Sequence, residues 1–319
     1  MKRKILVFFI FLNLIFPSVA YGFVFKMCGV SIASMTKINN VEIDGLNKIN
    51  TISVNTSIPD PPLLYGFGGT PETEQGLNDI IGNLTLYGMN TYRISFTPDW
   101  AAGTRPWNAT QCEYFLNNTD DSWFLIIDRN HQLESSTMDW AQANQSIYDD
   151  ILANPNFANN PRVIIEIVNE FVYKAPDNVW DGCAPIVASI QADGYTNPLL
   201  VNKHSVSDDW AEGAVIPFDY YGHHMYMSND NASYTQQTYW QGQNETREAE
   251  NAGCVPGVNT EVGAHHLEFN SFDQVNVDLL KDYILWSRNR PVPFGNIIWM
   301  NKDMRNLETY LTYNLFDGL

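Results

Sequence analysis

The chain has 319 residues, of which 45% are hydrophobic, and a formal net charge of -18 at pH 7. So acidic a balance argues against nucleic acid or an anionic membrane as partner and suits a neutral substrate. The length can bury one large core, which points to one domain rather than two.

Lys2, Arg3 and Lys4 precede an apolar run from Ile5 to Phe16, and Ser18-Val19-Ala20 offers a small-residue cleavage site. Residues 1–22 therefore read as a secretory signal peptide. Apolar character resumes at Phe23-Val24-Phe25, which leaves an uncleaved N-terminal anchor as the alternative, although Asn13 and Pro17 interrupt that span. No other segment is apolar enough to cross a membrane. Residues 23–60 show no clear periodicity or internal repeat and run into Pro59-Asp60-Pro61-Pro62, a lead-in to a domain at 61–319.

From there the chain alternates. Strands are expected at Leu63–Phe67, Thr91–Phe96, Trp123–Asp128, Val163–Asn169, Leu199–Asn202, Tyr220–Tyr226, Val255–Glu261 and Asn296–Met300. Amphipathic helical patterns fill most gaps, at Thr73–Tyr87, Met138–Ala153, Ala184–Ala192 and Phe272–Arg288. The second and fifth gaps are short or polar. Val163 to Val168 is nearly continuously apolar, the mark of a parallel strand covered on both faces. The pattern predicts an α/β fold, a single-domain (β/α)8 TIM barrel, with an open doubly wound sheet as the other arrangement.

Cys28, Cys112, Cys183 and Cys254 are too scattered for a zinc knuckle, and permit up to two disulfides in three connectivities. Asn55, Asn83, Asn108, Asn117, Asn144, Asn231 and Asn244 each begin a glycosylation sequon. Gly66-Phe67-Gly68-Gly69 lacks the spacing of a phosphate-binding loop and reads as a tight exit from the first strand.

With the strands placed, the polar residues gather at their C-terminal ends. Arg93 lies on the second strand, and Asp128 to His131 end the third. Asn169-Glu170 end the fourth, and His204 follows the fifth. His223, His224 and Tyr226 lie on the sixth, Glu261 ends the seventh and Trp299 lies on the eighth. In a barrel these positions share one rim and converge on one pocket. Two carboxyls on strand ends, Glu170 and Glu261, are the minimum equipment for cleaving a glycosidic bond. Glu166, four residues before Glu170, sits roughly 13 Å deeper and reads as a structural acid of the interior.

Gly88-Met89-Asn90-Thr91-Tyr92-Arg93, the run from Val163 to Asn169-Glu170, His224-Met225-Tyr226, Glu261-Val262-Gly263 and Trp299 together resemble the strand signatures of glycoside hydrolase family 5, the cellulase-like enzymes of clan A. The resemblance spans residues 61 to 319. It departs at Phe171, where the family has proline, and at Asp128-Arg129-Asn130-His131, whose histidine falls one residue late. Either His131 or Asn130 fills that role.

The resemblance implies Glu170 as proton donor and Glu261 as nucleophile of a retaining reaction, with the carboxyls roughly 5–5.5 Å apart. Arg93 and Tyr226 would attend Glu261, and Asn169 the sugar 2-OH. His131 and His224 would donate to substrate hydroxyls or orient the carboxylates, and Trp299 would stack on a pyranose ring. Arg93 has a second reading as the anchor of Glu166. His204, His223, His265 and His266 read as packing, loop or subsite residues. Trp100 and Trp107 are either subsite or core residues, Trp140 and Trp286 read as core, and Trp180, Trp210 and Trp240 stay unassigned.

The expected protein is a secreted, monomeric endo-acting β-1,4-glucanase or β-mannanase that needs no cofactor or metal and binds a β-linked polysaccharide or oligosaccharide. Three alternatives remain: a neighbouring clan A family, a metal-dependent barrel hydrolase using the rim histidines, and an inactive carbohydrate-binding barrel.

Overall fold

The computed structural model describes residues 26–27, 30–31, 37–38, 41–42, 48–49 and 52–53. From residue 62 onward it describes all but 71–72, 97–107, 129–147, 168–178, 204–209, 215, 217, 228–231, 255, 265–273 and 303–304. The chain divides into two compact units, Met1–Pro62 and Leu63–Leu319.

The larger unit alternates strands and helices. Its strands are Tyr65–Thr70 (β1), Thr91–Ser95 (β2), Phe124–Asp128 (β3), Val163–Glu166 (β4), Leu199–Lys203 (β5), Tyr220–Tyr226 (β6), Gly257–Gly263 (β7) and Gly295–Lys302 (β8). They close into a barrel in the order β4-β5-β6-β7-β8-β1-β2-β3, with every neighbouring pair parallel. Each expected strand is present, with ends shifted by a few residues, so the fold is the (β/α)8 barrel.

Period-two alternation sorts the strand side chains. Leu64, Ile126, Ile164, Leu200, Tyr220, Val258 and Ile297 form a cluster of their own inside the barrel. Two residues further along, on the same face, come Gly66, Asp128, Glu166, Asn202, Gly222, Thr260 and Trp299. The interior thus has an apolar floor beneath a polar layer. Intervening residues such as Phe67, Tyr92, Leu125, Ile165, Val201 and Val262 face the helices and join the main core. Each fully buried aliphatic side chain there stabilises the fold by about 1.5–3 kcal/mol.

The helices are Glu74–Leu86 (α1), Ala109–Asn117 (α2), Val179–Ala192 (α3), Trp210–Gly213 (α4), Ala232–Ala252 (α5), Gln274–Arg288 (α6) and Arg305–Thr312 (α7), with a further helical stretch at 148–152. The Thr73 hydroxyl caps α1 by accepting from the Gly76 amide, and the Asn108 side chain caps α2 by accepting from Thr110. Arg162, just before β4, donates to the Leu116 and Thr119 carbonyls at the end of α2 and to the Trp123 carbonyl. A cation there satisfies carbonyls that the helix leaves open. The polar second gap nevertheless holds α2. Among its described residues the fifth holds the four-residue α4, whose Trp210 packs on Trp180 of α3 with ring centroids 5.8 Å apart. Both tryptophans are core residues. Trp240 on α5 is exposed, and Trp286 is half-buried between Arg247 and Arg290.

Of the options that the cysteines permit, one is excluded, and one expectation needs correction. Cys112 is a free buried thiol and the Cys254 thiol donates to the Trp210 carbonyl, so the two-disulfide arrangement is not formed. The unit Met1–Pro62 also carries a repeat that its sequence was not expected to hold. Lys26–Met27 pairs antiparallel with Val30–Ser31, Lys37–Ile38 with Val41–Glu42, and Lys48–Ile49 with Ile52–Ser53. The three pairs share one register and recur every eleven residues, from Lys26 to Lys37 to Lys48.

Candidate active site

Arg93 on β2 is the centre of the polar layer and is wholly buried. Its Nε and Nη2 reach Glu166 at 2.6 and 3.0 Å, Nη2 also reaches Asp128 Oδ2 at 2.8 Å, and Nη1 reaches Glu261 Oε1 at 2.8 Å. One guanidinium therefore holds carboxyls from β3, β4 and β7. Its rigid fork of five donors makes this geometry available to arginine and not to lysine. Arg93 thus contacts both Glu166 and Glu261.

Burial works against the Arg93 charge, but Glu166, Asp128 and Glu261 outweigh it and hold the guanidinium well above its ordinary range. Asp128 responds in the opposite way. Burial, reinforced by the negative charges of Glu166 and Glu261, pushes its carboxyl well above the usual carboxylate range, against the pull of Arg93 and the Ser95 hydroxyl. One cation among three acids leaves an excess of negative charge, which favours the protonated form of Asp128.

Glu261 is engaged at both oxygens. Arg93 meets Oε1, the Tyr226 hydroxyl donates to Oε2, and His224 Nδ1 lies 3.8 Å from Oε2. Sequence reasoning placed Arg93, Tyr226, His224 and Glu261 at one site, and the structure brings all four together. Trp299 is half-buried with its ring 5.6 Å from the Arg93 guanidinium carbon, and a Cβ at Gly68 would come to 3.0 Å from that ring, close enough that the ring would have to give by a few tenths of an ångström. Its Nε1 is buried with no hydrogen-bond partner among the described residues. Asn169, Glu170 and Phe171, Asn130 and His131, His204, His265, His266, Trp100, Trp107 and Trp140 lie outside the described residues.

Residues that sequence reasoning passed over complete the layer. Asn202 Nδ2 donates to Glu166 Oε1, Thr260 Oγ1 donates to Asn202 Oδ1 at 2.8 Å, and His224 Nε2 lies 3.0 Å from Thr260 Oγ1. A bulge makes this circuit. Strand β6 pairs His223 with Asn259 and the next residue, His224, with Glu261, so Thr260 has no partner across the ladder. An extra residue in one strand re-aims its side chains. Asn259 faces outward to the Tyr283 hydroxyl at 3.0 Å, while Thr260 and Glu261 both face inward.

His223 faces the helices. It is buried near Thr246 of α5, and burial pushes its pKa down to about 4. It is therefore a neutral packing residue. Among the described residues no group of three histidines, cysteines or acids is placed to hold a metal. The space among Asp128, Glu166 and Glu261 is filled by the Arg93 guanidinium.

No family model and no curated protein sequence matches the chain. Solved structures do. XacCel5A aligns with a TM-score of 0.55 at 15% identity, covering 75% of this chain and 89% of that one. The catalytic domain of Thermobifida fusca endoglucanase Cel5A, solved with cellotetraose, aligns at 0.51 and 14% identity over 76% and 79% of the two chains. The endo-β-1,4-glucanase Xac0029 from Xanthomonas axonopodis pv. citri aligns at 0.50 and 14% identity over 74% and 88%. The barrel of this chain is thus the fold found in cellulase catalytic domains.

Proposed function

We propose that the protein is a secreted, retaining endo-β-1,4-glucanase of the family 5 type, acting as a monomer on soluble or accessible β-glucan. The observation that carries this reading is Glu261, a carboxyl buried at the end of β7 and gripped by Arg93 and Tyr226. Support also comes from the five strand signatures and from the fold shared with endoglucanases, one of them solved with cellotetraose. Secretion rests on the signal-like residues 1–22.

In this mechanism Glu261 attacks the anomeric carbon while Glu170 gives its proton to the departing glycosidic oxygen. A covalent glycosyl–Glu261 ester forms. Water then attacks the same carbon, Glu170 takes up its proton, and the ester breaks with net retention. Arg93 and Tyr226 fix the orientation of the attacking carboxylate. Asn169 holds the sugar 2-OH, His131 and His224 contact hydroxyls, and Trp299 offers its ring to a pyranose.

The test is reducing-sugar release from a panel of cellulose, mannan, xyloglucan and β-1,3-glucan, with Glu261→Ala as control. The reading expects β-1,4-glucan to be the best substrate, and azide to restore turnover to Glu261→Ala as an inverted glycosyl azide. Turnover that a chelator abolishes and added metal restores would overturn it.

A further inference from the structure

The hydrogen-bond circuit behind Glu261 determines where the protons of His224 sit. Glu166 accepts at both oxygens from Arg93, so the Asn202 group that meets its Oε1 has to be the amide NH2. That choice turns Asn202 Oδ1, which can only accept, toward Thr260. The single hydroxyl proton of Thr260 therefore goes to Asn202 over 2.8 Å. Toward His224 Nε2, at 3.0 Å, the same oxygen has only lone pairs to offer. The ring nitrogen must supply the proton.

We propose that Asn202 and Thr260 fix His224 as the Nε2–H form, so that Nε2 keeps its proton in both charge states and only Nδ1, beside Glu261, gains or loses one. Thr260 is then a positioning residue acting through His224. Among the described residues, the charged and titratable groups that meet the ring or its circuit include Glu261 on β7, Glu166 on β4 through Asn202, Arg93 on β2 through Glu166 and Glu261, and His223 and Tyr226 on β6. What Nδ1 is used for rests on the glycosidase reading, whereas the proton assignment does not.

This changes the chemistry available at the rim. In the opposite tautomer, a neutral His224 would already donate Nδ1–H toward Glu261 Oε2, 3.8 Å away. In the fixed form neutral His224 presents a lone pair there. It accepts a hydrogen bond from a sugar hydroxyl instead of donating one. Only the imidazolium, formed as pH falls, donates toward Glu261.

Two-dimensional NMR of the full-length protein with 15N-labelled histidine reads the tautomer directly, and His224→Gln identifies the signals. At a pH where the ring is neutral, His224 is expected to show a pyrrole-type Nε2 and a pyridine-type Nδ1. Thr260→Ser is expected to keep that pattern, because a hydroxyl remains. Thr260→Val is expected to shift the ring toward the Nδ1–H form and to lower kcat/KM about tenfold, with a displaced pH profile, for one hydrogen bond left unmade. A pyridine-type Nε2 in the wild-type protein would overturn the proposal even if no variant folded, as would an unchanged tautomer in Thr260→Val. A protein that shows the Nε2–H form but cleaves no polysaccharide in the panel loses the functional reading and keeps this one.

Discussion

Thr260 and Glu261 are adjacent in sequence, yet both side chains enter the barrel. Strand β7 spends three residues, Asn259 to Glu261, where β6 spends only His223 and His224. Regular alternation would have sent one of them out to the helices. The bulge brings the candidate nucleophile and the hydroxyl that orients its histidine neighbour into one layer.

Among the described residues Arg93 is the single cation bonded to Asp128, Glu166 and Glu261, and all four side chains are buried. Removing it leaves buried acids without a counter-charge, which costs about 3–5 kcal/mol for one broken pair. Arg93→Met is expected to lose at least that much in chemical denaturation and to have no measurable turnover. Arg93→Lys keeps the charge but cannot span the three acids, so it should recover part of the stability and little activity. Near-wild-type stability in Arg93→Met would show that the three acids do not depend on it.

Asp128 carries the complementary prediction. Its carboxyl is held well above the usual range, chiefly by burial, so a neutral side chain of the same shape resembles the folded state. Asp128→Asn should cost under about 1 kcal/mol, whereas Asp128→Ala strands the Arg93 and Ser95 donors and should cost about 1–3 kcal/mol. Equal losses in the two variants, measured by urea unfolding, would mean that Asp128 works as a charge.

Much of this was legible from the chain alone, for a physical reason. Continuous apolar runs such as Val163 to Val168 announce strands covered on both sides, and polar residues at their ends mark the rim. Arg93, His224, Tyr226 and Glu261 were found that way. The bulge at Thr260 was not, because an inserted residue leaves no mark in a one-dimensional pattern. Helix α5 was missed because its sequence is largely polar; its buried residues, among those described, include Gln243, Thr246 and Ala249. The hairpin pairs at Lys26, Lys37 and Lys48 escaped because two-residue strands are too short to alternate visibly.

Gly222 makes room for the Asn202–Thr260 circuit. A Cβ at this position would fall 2.2 Å from Asn202 Oδ1 and 2.7 Å from the Val258 carbonyl oxygen. Gly222→Ala should destabilise by about 1–3 kcal/mol through overpacking and push Asn202 away from Glu166. Gly82, where a Cβ meets nothing within 4 Å on the helical face of α1, is the matched control. Gly82→Ala should stabilise by up to about 1 kcal/mol, as an alanine replacing a glycine inside a helix. Thermal unfolding of both variants against wild type separates the outcomes, and a neutral Gly222→Ala would mean that Asn202 moves freely.

His223 predicts a loss of stability in acid. Its folded pKa is lowered from 6.5 to about 4, mainly by burial, with Glu245 and a backbone hydrogen bond at His224 opposing the shift and the charges of His224 and Lys203 adding to it. Above pH 6.5 the ring is neutral in both folded and unfolded chains and contributes no pH dependence. Between 6.5 and 4 the unfolded chain takes up a proton that the folded chain refuses, so stability falls as pH falls. The loss levels off below about 4 at a total of about 3 kcal/mol. Asp128 acts with the opposite sign, because a folded carboxyl held above its unfolded value gains stability as it is protonated. Wild-type stability alone would mix the two effects. Urea unfolding of wild type and His223→Gln at pH 7 and pH 4.5 removes the Asp128 contribution by difference. The wild type should lose more stability than the variant on acidification, and equal losses would place His223 in a site where it can be protonated without unfolding.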